Sequence, residues 1–180
     1  LQSFTLPNAA APAVVGPQTR PLYALDFDDR TGTLWAIDDA TRELGSLSTT
    51  DGSFTPTVTL TGVAVGETIS GLGIAPRDGS FYLSTTNTGG ASRLYRLDPA
   101  TGAATLLGPI TGYPWVVDVA VDCDGLIYGL DTSLDQIVTI DPSSGAPSLL
   151  GGTGVDAANL PQGLDFDGLQ VGQLPEIPRQ

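Results

Sequence analysis

The sequence predicts an all-β propeller, and three observations predict it. The phrase Ala24-Leu25-Asp26-Phe27-Asp28 returns as Gly71-Leu72-Gly73-Ile74-Ala75, as Asp118-Val119-Ala120-Val121-Asp122 and as Gly163-Leu164-Asp165-Phe166-Asp167. From Leu25 the equivalent positions Leu72, Val119 and Leu164 follow at spacings of 47, 47 and 45 residues. Each interval holds four short apolar stretches separated by Gly, Pro and Asp turns. A period of about 40–50 residues with several short strands inside it is the pattern of a blade array.

Each repeat divides into strands A to D. Strand A is the phrase above, and its small residues suit an inner strand crowded around a central axis. A turn follows at Asp29-Arg30-Thr31-Gly32, Pro76-Arg77-Asp78-Gly79 and Asp124-Gly125, where Gly supplies the positive φ of a tight hairpin. Strand B is Leu34-Trp35-Ala36-Ile37, Phe81-Tyr82-Leu83-Ser84 and Ile127-Tyr128-Gly129-Leu130, with one aromatic column at Trp35, Tyr82 and Tyr128.

Strand C alternates polar and apolar residues at 43–47, 93–97 and 136–140, the period of a half-buried strand. It runs into Thr50-Asp51-Gly52, Asp98-Pro99-Ala100-Thr101-Gly102 and Asp141-Pro142-Ser143-Ser144-Gly145, which are turn sequences. Strand D covers 57–60, 104–107 and 147–150; the nearby Pro56 and Pro147 are tolerable only if D is an outer edge strand.

Three blades are thus expected at 22–62, 69–110 and 116–152. The ends supply a fourth. Gln2 to Pro7 reads as a D strand, Gly163 to Asp167 as an A strand and Leu169 to Gln173 as a weak B strand. The split blade then combines 1–8 with 162–175, and its closure would remove two open edges.

Composition narrows the function classes. Twenty acidic residues face seven basic ones, all Arg, for a net charge of −13. Such a surface repels phosphates and anionic lipids, so nucleic acid and membrane insertion are not expected. No run of 18 apolar residues occurs, so no membrane-spanning helix is expected. The acidic excess fits solubility, with divalent cations as its other use.

His and Lys are absent, which removes the usual general base, the Schiff-base nucleophile and any Ser-His-Asp or Cys-His arrangement. The single Cys123 allows no intrachain disulfide; at the end of an apolar strand it is expected to be buried or half-buried. Met is also absent and the first residue is Leu1, which reads as a chain processed from a longer precursor.

The pattern resembles bacterial secreted β-propeller repeats of the NHL-like, YVTN-like and lactonase-like class. Arg93-Leu94-Tyr95-Arg96-Leu97-Asp98-Pro99-Ala100-Thr101-Gly102 is its most typical stretch. The resemblance implies a secreted, extracellular or cell-surface location. These families commonly carry six or seven blades against about four here, so closure within one chain, a homo-oligomer and a larger parent chain all stay open. Propellers host enzymes, lectins and scaffolds alike.

Lactonase-like members hold a metal at the central channel through carboxylates and amides, and on that resemblance Asp118 and Asn159 are the candidates for a metal-dependent hydrolase. Structural calcium is the other metal reading. Asp122 with Asp124, and Asp165 with Asp167, are Asp-x-Asp pairs that put two carboxylates on one side of a strand. Neither forms a full calcium-binding loop, and an Asp-capped hairpin turn explains the same residues.

The principal expectation is a non-enzymatic binding or scaffold module that meets a protein or carbohydrate through the loops at one end of the channel. Those loops carry Glu67, Asn87, Tyr113, Trp115, Asp118 and Asn159. Trp115 with Tyr113 offers a stacking surface; the competing reading packs Trp115 between blades, as Trp35 is expected to be.

Overall fold

A computed structural model describes residues 2–5, 8–16, 20–87, 89–154 and 164, with backbone only for 2–5 and 8–14. Every described element is a β-strand. A hairpin of β1 (Gln2–Thr5) and β2 (Asn8–Val14) comes first. The first blade has β3 (Leu22–Asp28), β4 (Thr33–Asp38), β5 (Glu43–Leu47) and β6 (Phe54–Thr59). The second has β7 (Thr68–Ile74), β8 (Phe81–Thr86), β9 (Ser92–Leu97) and β10 (Ala104–Ile110). In the third are β11 (Val116–Val121), β12 (Ile127–Asp131), β13 (Gln136–Ile140) and β14 (Pro147–Gly152).

Each blade is a four-stranded antiparallel sheet in simple sequence order. Strands A (β3, β7, β11) and D (β6, β10, β14) are therefore the two edges. Pro56 and Pro147 stand on outer edges, where a missing N–H costs no ladder bond. The repeat extends to irregularities: the A–B register shifts between Leu22 and Ala24, Ile69 and Gly71, and Val116 and Asp118, at the same place each time. Such bulges sharpen local twist.

The cores lie between blades as well as within them. Ala24, Ile37 and Leu44 of the first blade share one cluster with Leu72, Ile74 and Phe81 of the second. Trp35 meets Phe81 edge-on across this boundary, with ring centroids 5.7 Å apart. Tyr82, Leu94 and Ile110 of the second blade share another with Val119, Val121 and Ile127 of the third.

Small residues on strand A allow the close approach expected near an axis. A Cβ on Gly71 would lie 2.6 Å from Cα of Asp118, and one on Gly73 would lie 2.9 Å from the Val119 carbonyl oxygen.

Two sequence expectations change. The N-terminal stretch contains two strands, and the described partner of Gln2–Thr5 is Asn8–Val14; the C-terminal A and B stretches fall outside the described residues apart from Leu164. Cys123 is exposed, not buried. β11 stops at Val121 and Asp122 opens a turn, with the Asp122 N–H on the Leu126 carbonyl at 3.0 Å and the Gly125 N–H on the Asp122 carbonyl at 3.0 Å. Cys123 thereby becomes a turn residue facing solvent.

Candidate functional site: the face of the D–A and B–C connections

The last or next-to-last residue of strand B is a buried polar one in every described blade: Asp38 at 2%, Thr85 at 1% and Asp131 at 0% exposure. Each holds the connection that leads into its own strand A. Asp38 Oδ2 accepts from Arg20 Nη1 at 2.9 Å. The Thr85 hydroxyl donates to Glu67 Oε2 at 2.8 Å. Asp131 Oδ2 accepts the Trp115 N–H at 2.9 Å. One column thus anchors three connections by three different chemistries.

Glu67 is the most deeply embedded of the candidates, at 3% exposure. Its carboxylate also accepts from the Tyr95 hydroxyl at 2.8 Å and pairs with the Arg93 guanidinium. The Glu67 carbonyl accepts from Arg42 Nη2. Arg42 reaches it from a left-handed backbone, φ 56°, a conformation costing a non-glycine residue on the order of 1 kcal/mol. Burial and the hydrogen bond to Glu67 raise the Tyr95 phenol above its usual range. The hydrogen bond with Tyr95 and the Glu67 charge raise Arg93. Glu67 therefore works within the chain, tying a D–A connection to strands β8 and β9, rather than facing solvent.

Asp38 shows the balance of opposing effects. Burial pushes its carboxyl upward, but the Thr41 N–H, the Arg20 guanidinium and the Ala40 N–H outweigh that and hold it below the usual carboxylate range.

Neighbouring blades are joined on this face. Asp39 Oδ1 accepts the Ile69 N–H at 2.9 Å, and Ser92 Oγ accepts the Val116 N–H at 2.9 Å. The start of strand A thus docks on the B–C connection or on the first residue of strand C of the blade before it. From strand A itself, Asp26 Oδ2 accepts the Ile74 N–H at 2.6 Å and Asp118 Oδ2 accepts the Leu164 N–H at 2.7 Å. Asp118 is half-buried and its Oδ1 also accepts the Val119 N–H at 2.9 Å.

Trp115 is different in kind. It remains 45% exposed, yet its backbone is held on both sides. Its N–H donates to Asp131, and its carbonyl accepts the Thr132 N–H at 3.1 Å. Asp131 is itself fixed by the Ser133 and Leu134 N–H groups, each at 2.9 Å. Tyr113 packs against the second core cluster and its carbonyl accepts the Ser92 N–H at 3.0 Å. Asn87 is half-buried and lies against Gly90, where an added Cβ would fall 2.7 Å from its Oδ1. Asn159 lies outside the described residues.

Of the metal candidates Asp122 and Asp124, the first is engaged within its own turn. Asp122 Oδ1 accepts the N–H groups of Asp124 and Leu126, both at 2.9 Å, and Oδ2 accepts the Tyr128 hydroxyl at 3.2 Å; Asp124 is exposed. This is an Asp-capped turn. Asp165 and Asp167 lie outside the described residues. Among the described residues no three His, Cys, Asp or Glu side chains gather as a metal site would require.

The charge pairs are the part that sequence reasoning missed. Their signal was the repeat register: Arg20 and Glu67 are 47 residues apart, and Glu43 and Arg93 are the first and second residues of their strands C.

Comparison with solved structures identifies relatives by fold. The nidogen/laminin complex matches with a TM-score of 0.60 at 18% identity, over 82% of this chain and 53% of that one. The PQQ-bound aldose sugar dehydrogenase of Streptomyces coelicolor matches at 0.52 and 17%, over 72% and 47%. Virginiamycin B lyase of Staphylococcus aureus matches at 0.51 and 14%, over 74% and 43%. The chain spans about half the length of these structures, and the likeness shows the β-propeller fold alone. No curated protein matches the chain. The repeat itself is recognised over residues 22–166, and the chain belongs to the family described as a repeat of unknown function, DUF6923.

Proposed function

We infer that this chain is a non-enzymatic binding or scaffold module, secreted or displayed at a cell surface, that presents its D–A and B–C connections to a protein or a glycan. One observation carries this reading: Trp115 is a half-exposed indole on a backbone pinned by Asp131 and Thr132. An exposed aromatic side chain on a fixed backbone is a ready contact surface, because the backbone needs little further ordering when a partner covers it. Tyr113 beside it is half-buried and packs against the inter-blade core. Glu67 and Asp118 support this face by holding strands and connections, and Asn87 lies at its rim.

The fold by itself does not choose between binding and catalysis, since its likenesses include a nidogen/laminin complex and a sugar dehydrogenase. What favours binding is chemical. The chain has no His or Lys, and its buried acids Glu67, Asp38 and Asp131 are engaged by internal donors.

The test is titration of soluble oligosaccharides and extracellular-matrix-type protein fragments against the wild type and Trp115→Ala, with tryptophan fluorescence as readout. Binding that Trp115→Ala weakens at least tenfold supports the reading. A metal-dependent hydrolase activity that Asp118→Ala abolishes would replace it with the lactonase-like alternative.

A further inference from the structure

Leu22, Ile69 and Val116 pair with Asp38, Thr85 and Asp131 in their blades, so the residues just before them, Pro21, Thr68 and Trp115, share one position of the repeat. The B–C connections of the first and third blades have equal length, and Thr41 stands in one where Leu134 stands in the other. The residues that follow confirm the match. Arg42 and Asp135 both take the left-handed backbone, φ 56° and 53°, and their carbonyls accept the Leu60 and Thr153 N–H groups, both at 2.7 Å. The second blade's longer B–C connection, 87–91, holds no large apolar residue.

Only the third blade therefore places large apolar side chains at both positions, and both stay in water: Trp115 is 45% and Leu134 46% exposed. Thr68 and Thr41 are exposed as well, although another blade follows each of them. The two positions are open by geometry, and the blade folds with polar residues there. An apolar pair that the fold does not ask for is a feature of the surface.

One carboxylate holds the pair. Asp131 Oδ2 accepts the Trp115 N–H and Oδ1 the Leu134 N–H, each at 2.9 Å. Oδ1 also accepts the Ser133 N–H at 2.9 Å and its hydroxyl at 2.7 Å. Asp131 is wholly buried and spent on these donors, so it fixes the two backbones and is closed to a ligand.

Resting on the binding reading above, we propose that Trp115 and Leu134 form one contact for a protein partner, a segment that presents an apolar side chain between basic ones. A sugar on an indole face needs polar side chains for its hydroxyls; here the second exposed side chain is Leu, and the carboxylate between them is engaged. Charge selects the flanks. Neither connection, 111–115 or 132–135, contains Arg; the one charged residue in them is Asp135, on a chain of net charge −13. Complementary potential favours a basic segment.

The test is fluorescence anisotropy of labelled synthetic peptides with a central Leu or Ser flanked by Arg or by Glu, beside a glycan array. The wild type should bind the Arg-flanked Leu peptide about fivefold or more tighter than the Arg-flanked Ser peptide, and should not bind the Glu-flanked ones. Trp115→Thr and Leu134→Thr install residues that other blades carry at these positions, so both should keep the wild-type circular dichroism. Each should erase the preference for Leu over Ser, and Leu134→Ile should retain it. Val65→Ser removes a fully exposed apolar side chain outside the pair and should change nothing. Equal binding of the Leu and Ser peptides, or a preference that survives Leu134→Thr, overturns the proposal. Glycan binding that Trp115→Thr abolishes and Leu134→Thr leaves intact also overturns it, while the binding reading stands. Binding to no peptide and no glycan ends both.

Discussion

Arg20 and Glu67 occupy the same column of the repeat, 47 residues apart, and make the same tie with opposite charge. Arg20 pairs with Glu43 at 3.2 Å and Glu67 pairs with Arg93, so each D–A connection is bound to the first or second residue of its blade's strand C. In both blades the same residue also reaches the end of strand B, at Asp38 or Thr85. The geometry persists between these two blades while the charges are exchanged; in the third blade the Trp115 N–H on Asp131 holds the connection instead.

The two ties differ in burial, and that sets the first prediction. The Arg20 side chain is 38% exposed and the Glu67 side chain 2%. Solvent screens the first pair strongly. Removing Glu67 leaves Thr85 and Tyr95 without an acceptor in the interior and Arg93 without its counter-charge. Glu67→Ala should destabilise the protein by about 3 kcal/mol, and Arg20→Ala by distinctly less. Urea unfolding of the two variants reads the difference; equal losses would refute the ranking.

The two tryptophans should behave oppositely. Trp35 packs on the inter-blade core against Phe81, so Trp35→Ala should cost about 3–5 kcal/mol. Trp115 is nearly half exposed and its contacts with Asp131 and Thr132 are made by the backbone. Trp115→Ala keeps those bonds and should cost no more than about 1 kcal/mol, a shift of roughly 2–4 °C for a chain of this size. On the binding reading it should weaken partner affinity by about 2 kcal/mol. Thermal unfolding beside a binding titration separates the effects. A large drop in melting temperature for Trp115→Ala would make it a core residue.

The blades were legible because strand period, turn chemistry and the 47-residue register all point to one arrangement. Gly52, Gly102 and Gly145 take the positive φ that their turns demand, 74°, 75° and 72°. What stayed hidden was set by tertiary contact. Asn8–Val14 contains three consecutive Ala and a Pro, so neither alternation nor β-branching announces a strand; its pairing with β1 does. Glu67, between Gly66 and Thr68, looks like a solvated loop acid until Tyr95, Thr85 and Arg93 close around it. Cys123 was misread because the apolar strand stops two residues earlier than its sequence suggests. The backbone bond from Trp115 to Asp131, 16 residues on, is likewise carried by no local pattern.

Close backbone approach gives a third prediction. A Cβ at Gly71 would meet Asp118 Cα at 2.6 Å, and one at Gly108 would meet the Ser144 carbonyl oxygen at 1.8 Å. Both neighbours are backbone of the next blade and cannot swing aside. Gly71→Ala and Gly108→Ala should each cost about 1–3 kcal/mol by forcing the blades apart. Gly151, with nothing within 4 Å of an added Cβ, is the control and should tolerate Ala. Equal melting temperatures for all three variants would show that the blades do not meet at these glycines.

Acid sensitivity gives the last. Hydrogen bonds with Ser48, then with the N–H and hydroxyl of Ser53, lower the Asp51 carboxyl to about 2. Asp98 is lowered by the Thr101 hydroxyl and the Ala100 N–H, and Asp141 by the hydroxyl and N–H of Ser143. Each caps a C–D turn. In the unfolded chain these groups titrate near about 3.9. Between that value and the folded one the unfolded state binds more protons, so stability falls as pH falls. Their contribution is complete above about pH 4 and for Asp51 is lost progressively toward about pH 2. Charge repulsion runs the other way, because acidification toward the isoelectric point near 4.1 relieves a net charge of −13. The melting temperature should therefore hold or rise from neutral pH to about pH 5 and then drop steeply. Asp51→Asn keeps a side-chain oxygen to accept the Ser53 N–H but no longer titrates. It should melt near the wild type at pH 7 and lose less stability below about pH 4. A variant whose melting curve runs parallel to the wild type down to about pH 2 would remove Asp51 from the acid response.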